Sequence, residues 1–410
     1  MSFIRKSYIY LLFYVFWEFM ISSGRLLGSS LFKYASFIIT FGLFLVCLIR
    51  TRRIITTLDG QIWFPFLLWT ILGSFVYVVP GIMLIWGTAF IVVLIAVSNK
   101  MKSIFPYKYI FYFGLIQIVG QLLQMELPSI YNLMTGILFK ADVKEYGSGF
   151  QGFTTNPGMT SAILVYALGT YLCFYAPTKK TVINAIVFIA IIIFIFLTGK
   201  RSGAVLALFL PAMTFFISTK NQSKLVKYGL PIVLSVVFLF YFFIQNMDYF
   251  EDTTGLRKVT QGLEMFVDSD EEIELNGREF LWRMAIQGFL ENPLFGIGVS
   301  QFETWSGLET NTHNMYLQVL CEQGLIGLFL FVIPLVYCLI HTIYLLRNGH
   351  EKSYLKQILM FSLYVQLYFI IYGLSGNPTR NSYGYMMYFC AIGLLQSYQY
   401  NWKTNRGYRG

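Results

Sequence analysis

Charge is what this 410-residue sequence has least of: only 12% of its residues are Asp, Glu, Lys or Arg, about half the share usual in a soluble domain. A water-soluble globule is thereby excluded. Cysteine is scarce too. Of the five, Cys47, Cys173, Cys338 and Cys390 lie within apolar runs and Cys321 lies beside one, with no C-x-x-C pair and no neighbouring His, so neither a disulfide framework nor a zinc site is indicated. No G-x-x-x-x-G-K-[ST] loop and no H-E-x-x-H helix occurs, which leaves out a P-loop ATPase and a zinc protease. Neither a metal nor another cofactor is expected. The start, Arg5-Lys6 and an apolar run to Ile21, lacks a small-residue cleavage site, so a retained first span is expected. There is no repeat of fixed period and no low-complexity tail.

What is present is apolar: 56% hydrophobic and 19% aromatic residues. Runs long enough to cross a bilayer are predicted near 7–21, 31–49, 61–79, 81–98, 108–126, 157–176, 181–198, 203–218, 228–245, 316–345, 355–373 and 383–398. The predicted fold is therefore an all-α polytopic integral membrane protein of about twelve transmembrane helices. The formal charge of +10 is carried by short Lys/Arg clusters between these runs, which marks cytoplasmic loops and not a nucleic-acid patch. With both termini in the cytoplasm, most of the 30 Lys and Arg fall inside. The same parity puts 127–156 and the longer 246–315 outside, the latter with 13 Asp or Glu against four Lys or Arg. The chain thus divides into spans at 1–245, one large extracytoplasmic loop at 246–315, and spans plus a cytoplasmic tail at 316–410.

Several residues break this pattern. Lys200-Arg201 lies at the outer end of a span, where basic residues are disfavoured. Either the pair snorkels to the interface, or Arg201, beside small Ser202 and Gly203, contacts an anion. Arg278 opens a segment in which Leu281, Ala285 and Phe289 recur at i, i+4, i+8, joined by Phe280, Met284 and Ile286, as in an amphipathic helix. An Arg is unfavourable near a helix N-terminus; it is explained by a bound phosphate, or by pairing with Glu274 or Glu279. His313, where the loop re-enters the bilayer, is the one outer histidine on this topology. It is either a general base, since an unperturbed imidazole titrates near pH 6.5, or a structural group at a helix N-terminus. His341 and His350, toward the cytoplasmic side, read as structural or solvated. Asp268-Ser269-Asp270 resembles a metal–nucleotide D-x-D but sits in an acidic run on the outer side, so it reads as a solvated loop. Arg380, in the outer turn Gly376–Asn381, reads as a plain turn residue or a contact to sugar hydroxyls.

Taken in order, T-G-K-R-S-G at 198–203, G-R-x-x-x-W at 277–282, N-P-x-x-G-x-G at 292–298 and T-H-N-x-x-L at 312–317 resemble the O-antigen ligase/polymerase superfamily. The resemblance implies metal-independent glycosyl transfer from an undecaprenyl-pyrophosphate-linked oligosaccharide to an acceptor hydroxyl, on the outer face of the bacterial plasma membrane. It places the two phosphate-binding arginines on Arg201 and Arg278 and the catalytic histidine on His313; Lys200, Arg283, Asn314 and Arg380 are expected as surrounding substrate contacts. On that resemblance the two arginines are expected to hold the pyrophosphate while His313 deprotonates the attacking hydroxyl. The bilayer, a chain-length regulator and a flippase are the expected partners. A polymerase joining lipid-linked repeat units is favoured over a ligase acting on lipid A–core. A flippase or transporter is the rival of another class; it calls for inverted repeats and mid-membrane charges, whereas the spans hold few charges, Glu18 being the main exception. On this reading Arg201 folds against the loop that carries Arg278 and His313.

Overall fold

A computed structural model describes residues 58–77, 105–139, 149–154, 156–176, 181–219, 278–308, 310–348, 353–380 and 382–406. The runs expected at 7–21, 31–49, 81–98 and 228–245 lie outside these residues, as do Glu18, Glu274 and the acidic stretch with Asp268 and Asp270. The described residues are helical, with no strand among them: α1 (Leu58–Gln61), α2 (Phe64–Val76), α3 (Phe105–Glu126), α4 (Pro128–Phe139), α5 (Pro157–Thr170), α6 (Thr181–Phe196), α7 (Arg201–Ser218), α8 (Arg278–Glu291), α9 (Phe302–Ser306), α10 (Met315–Asn348), α11 (Ser353–Tyr372) and α12 (Ser382–Arg406). By length and composition, four stretches among the described residues can cross a membrane: Pro157–Tyr175, Arg201–Ser218, Met315–Asn348 and Leu355–Tyr372. Shorter apolar helices cover Ile110–Glu126, Val182–Phe196 and Gly384–Gln396. The segment 127–156, expected on the outer side, contains α4, which opens on Pro128 directly after Leu127. Proline at the first helical position gives up an N–H that would be unpaired anyway.

The helices form two compact units, the first with α1, α2 and α8–α12 and the second with α3–α7. In the first, Trp63 is 1% exposed and meets the rings of Phe66, Phe331, Tyr388 and Phe389 edge-on. Asp59 is fully buried there and pairs with His341 Nδ1 at 2.7 Å, with Gln399 on its other oxygen. His341 is thus structural.

The run 316–345 is not one regular helix. Gly324 has φ 64° and ψ −167°, a conformation open to glycine alone, and it breaks α10. Around the break, four backbone groups of α10 bond to residues 293–298. The carbonyls of Cys321 and Glu322 accept the N–H groups of Ile297 and Gly298 at 2.9 and 3.0 Å. The N–H groups of Leu325 and Ile326 donate to the carbonyls of Pro293 and Leu294 at 2.9 and 3.3 Å. The N-P-x-x-G-x-G segment is therefore the backbone complement of the broken helix, which satisfies groups that cannot be left unpaired in an apolar setting. Thr70 of α2 donates to Gln323 at the same break, 3.2 Å away.

In the second unit α3 and α7 both pack on α5. A Cβ on Gly203 would lie 1.7 Å from Ser161 Oγ, so the small residue after Arg201-Ser202 is required by close helix approach.

Candidate active site

In the motif T-N-T-H-N, the side chains of Asn311, Thr312 and Asn314 bind the backbone of the loop and of the helix that follows. Asn311 Oδ1 accepts the His313 N–H at 2.9 Å. Thr312 Oγ1 donates to the Asn314 carbonyl at 2.7 Å and accepts the Asn314 N–H at 3.2 Å. Asn314 Oδ1 caps α10 by accepting the N–H groups of Tyr316 and Leu317, both at 3.0 Å, as a side chain at a helix start does. These bonds hold His313 at φ 50°, a left-handed conformation uncommon for a residue with a Cβ. Its Nε2 lies 3.3 Å from Thr310 Oγ1, and its side chain is half-buried.

The loop is docked on the turn that follows α11. Met315 N–H is shared between the carbonyls of Gly373 and Gly376 at 2.8 and 3.1 Å, Tyr316 OH donates to Ile370 O at 3.0 Å, and Asn314 Nδ2 donates to Leu374 O at 3.2 Å. The next carbonyl of the same turn, Ser375 O, accepts Arg278 Nη1 at 2.9 Å. One turn further along α8, Trp282 Nε1 donates to Thr312 O at 3.1 Å. Arg278 and His313, 35 positions apart in sequence, are thereby brought to one place by two side chains of a single helix face.

Helix α8 begins at Arg278 and buries Leu281, Ala285 and Gly288, so the expected amphipathic helix is present with its buried stripe one step displaced. Phe289 is half-buried, and Phe280 and Ile286 are exposed. Among the described residues the neighbouring Glu279 is exposed and forms no ion pair with Arg278. Arg283 points away from the packed stripe and is exposed.

Arg380 is held firmly. Its Nη2 donates to Glu322 Oε1 and its Nη1 to Ser300 Oγ, both at 2.9 Å, with Glu303 at 3.6 Å. Any sugar contact by Arg380 is made by a guanidinium already bound to a buried carboxylate. Glu322, 4% exposed, is a further carboxyl group inside the run 316–345, in addition to Glu18, the main exception expected among the spans. A carboxylate amid apolar residues is itself the signal that finds it. The turn 373–376 carries no such signal, because it contributes only main-chain carbonyls.

Lys200 and Arg201 belong to the second unit. Gly199 takes φ 63°, Lys200 is extended at the N-cap of α7, and Arg201 is its first residue, half-buried. The Lys200 side chain runs past the start of α5, its Cε 3.7 Å from where a Cβ on Gly158 would sit. Two helix beginnings, each with N–H groups suited to an anion, thus flank this basic pair. The turn is positioned from below. Phe150 N–H donates to Leu197 O at 2.9 Å, and Gln117, Gln121 and Gln124, on one face of α3, bind the backbone of residues 150–153. Among the described residues no group of His, Cys, Asp and Glu is arranged to hold a metal ion.

Residues 186–332 match the O-antigen ligase family. The match spans α7, α8, the break at Gly324 and all of T-H-N-x-x-L, with Arg201, Arg278 and His313 inside it, and supports membership of the O-antigen ligase/polymerase superfamily. No curated protein matches the chain.

Proposed function

We propose, with the O-antigen ligase match over residues 186–332 as the premise, that this chain is a polysaccharide polymerase of about twelve spans in the bacterial plasma membrane. It joins repeat units carried on undecaprenyl pyrophosphate, without a metal, on the outer face. The observation that carries the reading is the shared seat of Arg278 and the His313 loop on carbonyls 374 and 375.

In the proposed mechanism, one limb of the Arg278 fork is fixed on Ser375 O and its remaining N–H groups meet the pyrophosphate of the donor. Arg201, at the start of α7 with Lys200 beside it, is the second pyrophosphate contact. Both neutralise charge that builds on the leaving phosphate as the glycosidic C–O bond breaks. His313 takes the proton of the attacking hydroxyl as the new C–O bond forms, and direct displacement inverts the anomeric centre. Arg283 and Asn314 are proposed as outer sugar contacts, Asn314 through whatever its capping duty leaves.

A ligase, moving finished glycan from the same carrier to lipid A–core, is the second reading, favoured by the description of the matched family. A deletion strain separates the two. Loss of a polymerase leaves single repeat units on the final acceptor. Loss of a ligase leaves full-length polymer on the carrier. Unexported single units would overturn both in favour of a flippase.

A further inference from the structure

Resting on the reading of His313 as the reacting base, the geometry points to Gln318 and Glu322 as positioning residues that set the His313 loop through a buried polar chain anchored on Arg380. The chain is continuous. Arg380 Nη2 donates to Glu322 Oε1 at 2.9 Å, Gln318 Nε2 donates to the same oxygen at 2.6 Å, and Gln318 Oε1 accepts the Thr312 N–H at 3.0 Å. Thr312 is the residue before His313. Thr312, Gln318 and Glu322 are 0%, 2% and 4% exposed, so water does not substitute for any of these bonds.

The order of the links follows from chemistry. Gln318 and Glu322 are four apart on α10 and share a face. The Thr312 N–H can only donate, so it takes the Gln318 oxygen and leaves the amide NH2 for the Glu322 oxygen that also accepts from Arg380. Glu322 is itself oriented from two further sides, by the Phe302 N–H at 3.3 Å and by Arg380, whose second limb is tied to Ser300. The carboxylate thereby transmits the position of loops 300–302 and 378–380 to the peptide that precedes His313. Such a device is required because His313 occupies φ 50°, and a residue in a sparsely populated conformation stays there only when its surroundings over-determine it. Asn311 and Asn314 fix it locally; Gln318 and Glu322 fix where the whole loop stands.

The test uses the full-length protein in vesicles of phosphatidylethanolamine and phosphatidylglycerol. The donor is lipid-linked glycan extracted from a deletion strain of its own host. Gln318→Met removes the link with little change of volume, and Gln318→Glu sets two carboxylates against each other. The exchange Gln318→Glu with Glu322→Gln keeps one carboxylate and one amide in the pair and removes the clash: the carboxylate now at position 318 accepts from Thr312 and, after the side chain at 322 turns, from its amide NH2, whose oxygen is left to Arg380. The expected result is a drop in kcat of about tenfold or more for either single variant, with donor KM within about twofold, and recovery of most of the lost rate in the exchange. A group that merely fills the core gives no such recovery. Wild-type kcat for Gln318→Met, or an exchange no faster than Gln318→Glu alone at equal protein, overturns the proposal. His313→Ala in parallel separates the two levels. Full activity there removes the reading of His313 itself, whereas an inactive His313→Ala beside a fully active Gln318→Met removes only the positioning role.

Discussion

Arg278 and Asn314 donate to successive carbonyls of one turn, Nη1 to Ser375 O at 2.9 Å and Nδ2 to Leu374 O at 3.2 Å. A four-residue turn with no reactive side chain is thus the common datum for the start of α8 and for the His313 loop. Shifts of either element relative to the other are resisted by backbone, which mutation of the turn's own side chains leaves in place.

Arg278→Lys keeps the charge but loses the fork that binds Ser375 O and, in the proposed mechanism, a phosphate together, because an ammonium is a point donor with no fixed second direction. Polymer formed per unit of protein is expected to fall about tenfold or more, read by complementation of a deletion strain with immunoblot-matched expression. Wild-type yield would show that a single charge suffices.

Trp282→Phe keeps an aromatic ring, though a smaller one, and deletes the Nε1 bond to Thr312 O. One such bond is worth about 0.5–1.5 kcal/mol, so activity should drop by a factor of about 2–10 while the accumulated protein level holds. An unchanged rate would show that α8 does not steady the His313 loop.

At Gly324 the added Cβ of Gly324→Ala would lie 2.3 Å from Leu294 O, in a backbone conformation alanine avoids. The strain of the conformation alone is of order 1–3 kcal/mol. Thermal melting of detergent-solubilised protein should shift down by several degrees, about the scale set by that loss. An unshifted midpoint would show that the paired loop 293–298 yields freely.

Arg201→Ala, with Gly203 and the packing of α7 on α5 untouched, is expected to lower turnover on the order of 100-fold. Arg201→Lys should recover only part of it. Equal activity of Arg201→Ala and wild type would assign Lys200-Arg201 to interfacial snorkelling.

Much of this was legible in the sequence for simple physical reasons. The helices at 157–175, 181–196 and 353–372 follow predominantly apolar runs with few charges. Arg278 and His313 stand out because basic and titratable groups are rare beside such runs. The break at Gly324 is not legible as periodicity, since Q-G-L-I-G continues an apolar stretch, and its cause lies 30 residues upstream in the carbonyls of Pro293 and Leu294. Helix α4 is hidden by the polar residues that follow it up to Gly149. The role of Gly373–Gly376 is invisible to any reading of side chains, because only its main chain is used. Arg380 reads in sequence as a turn residue or sugar contact; in the structure its partners are Glu322 and Ser300, both distant along the chain.

The most direct measurement of the central claim is the state of the glycan on the carrier and on the final acceptor in a strain whose only copy of this protein is His313→Ala, at wild-type protein level. Single repeat units are expected on the final acceptor, with no elongated polymer on it or on the carrier. Full-length polymer in normal amount from that strain would contradict the claim.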